Sequence, residues 1–124
     1  MIQKRIGVFE TNSSSTHTLC IVTDEEMKKL QSGELFISNW GSKLYTREQA
    51  INEALTAYNR RYDDKYTRER VDAMDESELL DFLSCNEIVT FENWGSEYLD
   101  YFEESYTTDS GDKIVVFGQY GYDA

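Results

Sequence analysis

The chain has no proline, two cysteines and one histidine in 124 residues. Without proline there is no X-Pro bond whose slow isomerisation could delay folding. Cys20 and Cys85 have apolar neighbours and no Cys-x-x-Cys or Cys/His cluster, so buried thiols are expected rather than a disulfide or a metal site. No apolar run approaches the ~18 residues of a membrane span. Met1-Ile2-Gln3-Lys4-Arg5 leads into a strand-like run without a signal-peptide core, which makes a cytoplasmic protein in a reducing compartment the expectation. Basic residues are missing from one half. From Asp72 to Ala124 fourteen acids face a single base, Lys113, so the whole net charge of −12 lies there. Direct nucleic-acid binding needs a basic patch to neutralise phosphates, and that half has none. The one local exception is Arg60, Arg61, Lys65, Arg68 and Arg70, which are interleaved with Asp63, Asp64 and Glu69 and read as a mixed-charge helix surface.

What is present suffices for a core. With 40% hydrophobic and 14% aromatic residues, the composition excludes a disordered tail and fits one globular domain over residues 1–124. The pattern is α+β, with a small, mostly antiparallel sheet and three to four helices. Ile2 to Phe9 opens as a strand, Glu10 to Thr16 turns, and Thr18 to Val22 resumes as a second strand antiparallel to the first. Thr23 with Glu26 forms a capping box for a short helix that Gly33 closes, and Glu34 to Ser38 is a third strand. Thr46 with Gln49 caps the longest helix, whose apolar stripe is Ala50, Ile51, Ala54, Leu55, Tyr58 and Tyr62. Asp63 to Met74 either extends that helix or forms a mobile connection. Asp75 with Glu78 caps a further helix through Leu79, Leu80 and Leu83. Lys113 to Phe117 is the clearest strand; its continuous apolar run predicts a central position buried on both faces. Gly118 to Ala124 reads as an exposed aromatic tail.

An internal echo runs through this order. Asn39-Trp40-Gly41-Ser42 recurs as Asn93-Trp94-Gly95-Ser96, each copy preceded by a capped helix and a short strand. The expected unit is helix, strand, Trp-Gly turn, helix, read either as a pseudo-twofold or as convergent turn chemistry. Gly would supply an unusual torsion, Ser a cap, and Trp an anchor to the core.

The second copy opens onto Asn93 to Tyr106, where the spacing predicts a two-faced helix. Leu99, Phe102 and Tyr106 recur at i, i+3, i+7, and Glu97, Asp100 and Glu104 recur likewise about half a turn away. Carboxylates so placed repel by a few tenths of a kcal/mol per pair, which a cationic partner would relieve. Glu92, Glu103, Asp109 and Asp112 lie nearby, and Tyr98, Tyr101, Tyr106, Tyr120 and Tyr122 add ring area able to stack on arginine. The expected partner-binding set is therefore Glu92, Glu97, Asp100, Tyr101, Glu103, Glu104, Asp109 and Asp112. Asp109-Ser110-Gly111-Asp112 lacks the ligand count of a calcium loop, so neither metal nor cofactor is expected.

The second constellation is the run from Glu10 to His17, whose alternative ligand-binding set is Glu10, Asn12, Ser13, Ser15 and His17. Its hydroxyls could cradle a phosphate with His17 as acid or base. Against that, it has no Gly-x-Gly or Walker spacing and no adjacent base, so a hairpin loop fixed by its own hydrogen bonds is favoured over catalysis. Val8-Phe9-Glu10-Thr11-Asn12-Ser13-Ser14-Ser15-Thr16-His17 resembles an N-terminal signature of small, largely uncharacterised proteins of bacterial phages and mobile elements. The resemblance covers about ten residues and implies an origin rather than an activity. Small acidic phage proteins include inhibitors of host defence, among them anti-CRISPR proteins that occupy nucleic-acid-binding surfaces. The expected function is accordingly an acidic nucleic-acid mimic that binds the basic groove of a host protein such as a CRISPR nuclease, touching neither nucleic acid nor membrane. The alternative is a small-ligand or nucleotide-binding protein, or an enzyme, using Asn12 to His17.

Overall fold

The computed structural model describes residues 16–39, 41–95 and 99–121. The fold is α+β, with four α-helices and two three-stranded antiparallel sheets among the described residues. In chain order these are β1 (Thr16–Thr23), α1 (Asp24–Ser32), β2 (Leu35–Ser38), β3 (Leu44–Thr46), α2 (Arg47–Arg61), α3 (Arg68–Asp72), α4 (Glu76–Cys85), β4 (Ile88–Val89), a 3-10 turn (Phe91–Asn93), β5 (Asp100–Thr107) and β6 (Lys113–Tyr120). Contacts divide the described residues into two compact units, one of residues 16–29, 41–42, 95 and 99–121, the other of residues 30–39 and 43–94.

The first unit holds the sheet β1-β6-β5. Its central strand is β6, as its apolar run predicts, but only one of its faces is fully buried. Val115 and Phe117 are sealed, whereas Ile114 and Val116 on the opposite face are half-exposed. The strand also runs past the expected tail boundary, because Gly118 lets neighbouring strands close in. A Cβ there would stand 2.1 Å from the Thr18 carbonyl oxygen and 2.9 Å from the Phe102 ring. Gly118 and Gln119 are therefore buried strand residues, and only 122–124 of that segment lie outside the described residues. The Thr18 carbonyl sits beside an irregularity of β1, where the register against β6 shifts between Thr16 and Thr18. Cys20 is buried here, and its Sγ donates to the Gly41 carbonyl at 3.8 Å. Burial pushes its thiol up to about 11, which leaves it a protonated packing residue.

The second unit holds the sheet β3-β2-β4 and a core in which α2 and α4 bury Ala50, Ile51, Ala54, Leu79, Phe82 and Leu83 with Phe36, Val71 and Ile88. Its helices begin where the sequence says. Thr46 and Gln49, and Asp75 and Glu78, make reciprocal capping boxes for α2 and α4. In the first unit Thr23 and Glu26 do the same for the start of α1 (Asp24–Ser32), and Gly33 follows its end at φ 88. The connection from Asp63 to Met74 is neither a helix extension nor a loose link. Asn59 brackets Tyr66, donating from Nδ2 to its carbonyl at 3.0 Å and accepting its N–H at 2.8 Å. Thr67 then caps α3 through the Arg70 N–H. Cys85 is exposed, contrary to expectation, because the buried face of α4 recurs at Leu79, Phe82 and Leu83 and leaves Cys85 off it.

The Asn-Trp-Gly-Ser echo is partly structural. Both copies follow a helix and a strand, and those strands pair: Ile37 with Val89 and Ser38 with Ile88, with the Asn39 N–H donating to the Glu87 carbonyl at 2.8 Å. Beyond the turns the likeness ends. Gly95 takes φ 84 while Gly41 is not among the left-handed glycines, and the copies lead into strands, β3 and β5, rather than directly into helices. Trp94 is buried as expected of an anchor; Trp40 and Ser96 lie outside the described residues.

Candidate functional site

The largest correction falls on Asn93 to Tyr106, whose described residues form no α-helix. Phe91–Asn93 is a 3-10 turn and Asp100–Thr107 is the strand β5, antiparallel to β6. A strand alternates its faces every residue. Asp100, Phe102, Glu104 and Tyr106 therefore share one side of the sheet, and Tyr101, Glu103 and Ser105 share the other. Asp100 and Glu104 are strand residues, not members of a row along a helix face. Phe102 and Glu104 are buried at 3% and 6% exposure, so Glu104 is no surface carboxylate. Its Oε2 accepts a hydrogen bond from the Tyr106 hydroxyl, which raises the Tyr106 pKa, and its Oε1 has no partner among the described residues.

On the opposite face Tyr101 donates to Glu103 Oε1 at 2.7 Å. Burial, with the Glu103 carboxylate next, holds the Tyr101 hydroxyl firmly protonated. Asp100 is exposed at the start of β5, opposite Tyr120. Asp109 and Asp112 are exposed in the β5–β6 turn, where Thr108 Oγ1 accepts the Asp112 N–H at 3.1 Å and Ser110 Oγ donates to Asp112 Oδ2 at 3.2 Å. Gly111 at φ 92 closes that turn. Glu92 is exposed in the 3-10 turn of the other unit. Glu97 lies outside the described residues, as do Tyr98 and Tyr122.

The alternative set cannot be assembled from the described residues. Glu10, Asn12, Ser13 and Ser15 lie outside them, and His17 is placed only as a backbone position of β1.

Sequence reasoning missed how unevenly the charges are answered. The ion pairs among the described residues are Lys28 with Asp24, Arg47 with Glu76, Arg68 with both Glu48 and Asp72, and Arg70 with Asp64. Arg68 grips Glu48 with both terminal nitrogens and Asp72 with Nε at 3.0 Å. These contacts hold the Glu48 and Glu76 carboxyls below their usual range. No acid from Glu78 onward joins an ion pair among the described residues, and neither does Lys113. The i, i+4 spacing of Arg68 and Asp72 was a readable signal; Arg47 with Glu76 was not, since twenty-nine residues separate them. Among the described residues no group of three His, Cys, Asp or Glu side chains could hold a metal ion, and no helix is long and apolar enough to cross a membrane. Compared with known proteins, the chain matches no family model, no curated protein and no solved structure, so any functional reading rests on its own residues.

Proposed function

We propose that this chain acts by binding, not catalysis, and that its unanswered carboxylates engage the basic nucleic-acid-binding groove of a protein in the host cytoplasm, a defence nuclease of the CRISPR type being the target class. The observation that carries the reading is the split in ion pairing. Acids up to Glu76 are partly paired with Arg47, Arg68, Arg70 and Lys28, whereas among the described residues no acid from Glu78 to Asp112 joins an ion pair. A surface of one sign speeds encounter with the opposite sign and rejects nucleic acid itself.

The contact set differs from a helical row. Asp100, Glu103, Asp109 and Asp112 lie along the β5–β6 ribbon, which at about 3.3 Å per residue runs roughly 23 Å from Asp100 to Thr107. Phosphates along one DNA strand recur every ~3.4 Å of axis, so these carboxylates are sparser than the polymer they would displace. The reading is therefore of electrostatic attraction with a few fixed contacts, Glu103 being positioned by Tyr101, rather than of a phosphate-by-phosphate copy. Glu104 has no part in it.

The test is a pull-down from a bacterial lysate with the tagged chain, eluted by a salt gradient and identified by mass spectrometry. Recovery of a nucleic-acid-binding protein that salt releases and DNA or guide RNA competes off is the expected result. The triple variant Asp100→Lys, Asp109→Lys, Asp112→Lys should fail to retain it. Equal retention by the triple variant refutes the reading.

A further inference from the structure

Charges left unanswered also gather at the C-terminal end of α2, on different residues and with a different sign. Nearby cations are used within the chain. Arg68 holds Glu48 and Asp72, Arg70 lies 3.8 Å from Asp64 and 3.8 Å over the Tyr66 ring, and Lys65 Nζ donates to the Asn59 and Tyr62 carbonyls. Among the described residues Arg60 and Arg61 have no carboxylate partner; Arg61 lies over the Tyr62 ring, at 5.9 Å. Asp63 has no cationic partner among the described residues either. Between them Tyr62, the last residue of the expected apolar stripe, is 47% exposed. Four consecutive exposed residues thus present two cations, a ring and a carboxylate.

This corner is already ordered. The Tyr62 ring packs at 4.7 Å on Tyr58, Tyr58 at 4.5 Å on Tyr66, and Tyr66 stacks at 5.0 Å on the buried Phe82. The Asn59 bracket and the Lys65 contacts fix the backbone that follows, so binding here would cost little further ordering entropy. Tyrosine and arginine are also the residue types that dominate interface energetics.

We propose that this corner is a self-complementary contact through which two copies of the chain associate about a two-fold axis, Tyr62 against Tyr62, with Arg60 and Arg61 of each copy facing Asp63 of the other. A two-fold contact requires one patch to supply both signs, and residues 60–63 do. The charge of the rest of the molecule selects the occupant. Copies carrying −12 repel one another except where the local charge is not negative, and residues 60–70 hold five bases against three acids. Asp63 beside the exposed ring opposes a phosphate backbone, which favours a protein surface over nucleic acid. The proposal shares no residue with the acidic partner surface and stands or falls separately from it.

Sedimentation velocity of the full chain over a concentration series tests it. A weak dimer is expected that strengthens as salt rises from low to moderate, because screening over ~8 Å at physiological ionic strength removes the long-range repulsion. Binding of a basic partner by the acidic ribbon would weaken over the same range, so the two effects are separable. Tyr62→Ala should weaken the dimer by about tenfold or more. Arg61→Glu and Asp63→Arg should each weaken it, and mixing these two variants should restore association, since each supplies the sign the other lacks. Circular dichroism and melting of the three variants should match the parent. A chain that stays monomeric throughout overturns the proposal. So does a dimer indifferent to Tyr62→Ala but broken by Ile21→Thr on the exposed face of β1.

Discussion

Glu104 offers the sharpest test of the strand that replaced the expected helix. It is 6% exposed, lies opposite Val116, and shares its side of the sheet with Phe102 and Tyr106. One carboxylate oxygen takes the Tyr106 hydroxyl, and the other has no partner among the described residues. A buried polar group left unsatisfied costs about 1–3 kcal/mol, while a residue of similar volume without polar atoms carries no such cost. Glu104→Met is therefore expected to stabilise the chain by about 1–3 kcal/mol, with the half-buried Tyr106 hydroxyl turning to water. At a urea m-value of about 2 kcal/mol/M, a gain of about 2 kcal/mol moves the unfolding midpoint up by about 1 M. Tyr106→Phe should do the reverse, by about 1–3 kcal/mol, since it strips the Tyr106 donor from a buried carboxylate. In the double variant that loss should vanish, because no carboxylate remains to be satisfied. Spectrophotometric titration adds an independent readout: with the carboxylate gone, Tyr106 should ionise at lower pH than in the parent. A helical, solvent-facing Glu104 would make both substitutions nearly neutral. A fall in midpoint for Glu104→Met, or additive effects in the double variant, would refute the reasoning.

Gly118→Ala should destabilise by about 3 kcal/mol, at the upper end of overpacking costs, because the nearest obstacle is the Thr18 backbone carbonyl, which cannot rotate away as a side chain would. A urea midpoint within error of the parent would mean that β1 does not approach β6 as described. The Arg68–Glu48 and Arg47–Glu76 pairs make acid stability a second test. Both carboxyls are held below their ordinary 4.5, so the pairs contribute above that pH and lose their contribution as pH falls through the lowered folded values. The parent should therefore melt above an Arg47→Met, Arg68→Met variant near neutrality, with the gap closing in acid. A gap that persists unchanged at low pH would show that the arginines act through packing alone.

What the sequence made legible was the local chemistry. Each capping box lies within four residues, so Thr23, Thr46 and Asp75 announced their helices without knowledge of any neighbour. Pairings between distant strands carry no such signature; nothing near Cys20 names Phe117 as its partner across the sheet. The misreading of β5 has a more specific cause. Phe102 and Tyr106, four apart, fit a period of 3.6 and a period of 2 equally well, and a buried Glu104 between them hides the alternation that would have decided. The deciding signals were compositional: Tyr101, Phe102, Tyr106 and Thr107 favour strands, and Thr108 to Asp112 is a turn leading into an unmistakable strand, which together describe a hairpin. The candidate surface changed with that element. Of the carboxylates assigned by helical spacing, Asp100 and Glu104 share one side of a sheet, where Asp100 is exposed and Glu104 is buried. The total charge is a property of composition and survives any change of secondary structure. The geometry of a charged face is a property of period, and it is only as sound as the element to which it was assigned. A lack of counterions among the described residues, unlike a spacing of acids, does not depend on the period of one element, because it follows from which residues the fold brings together.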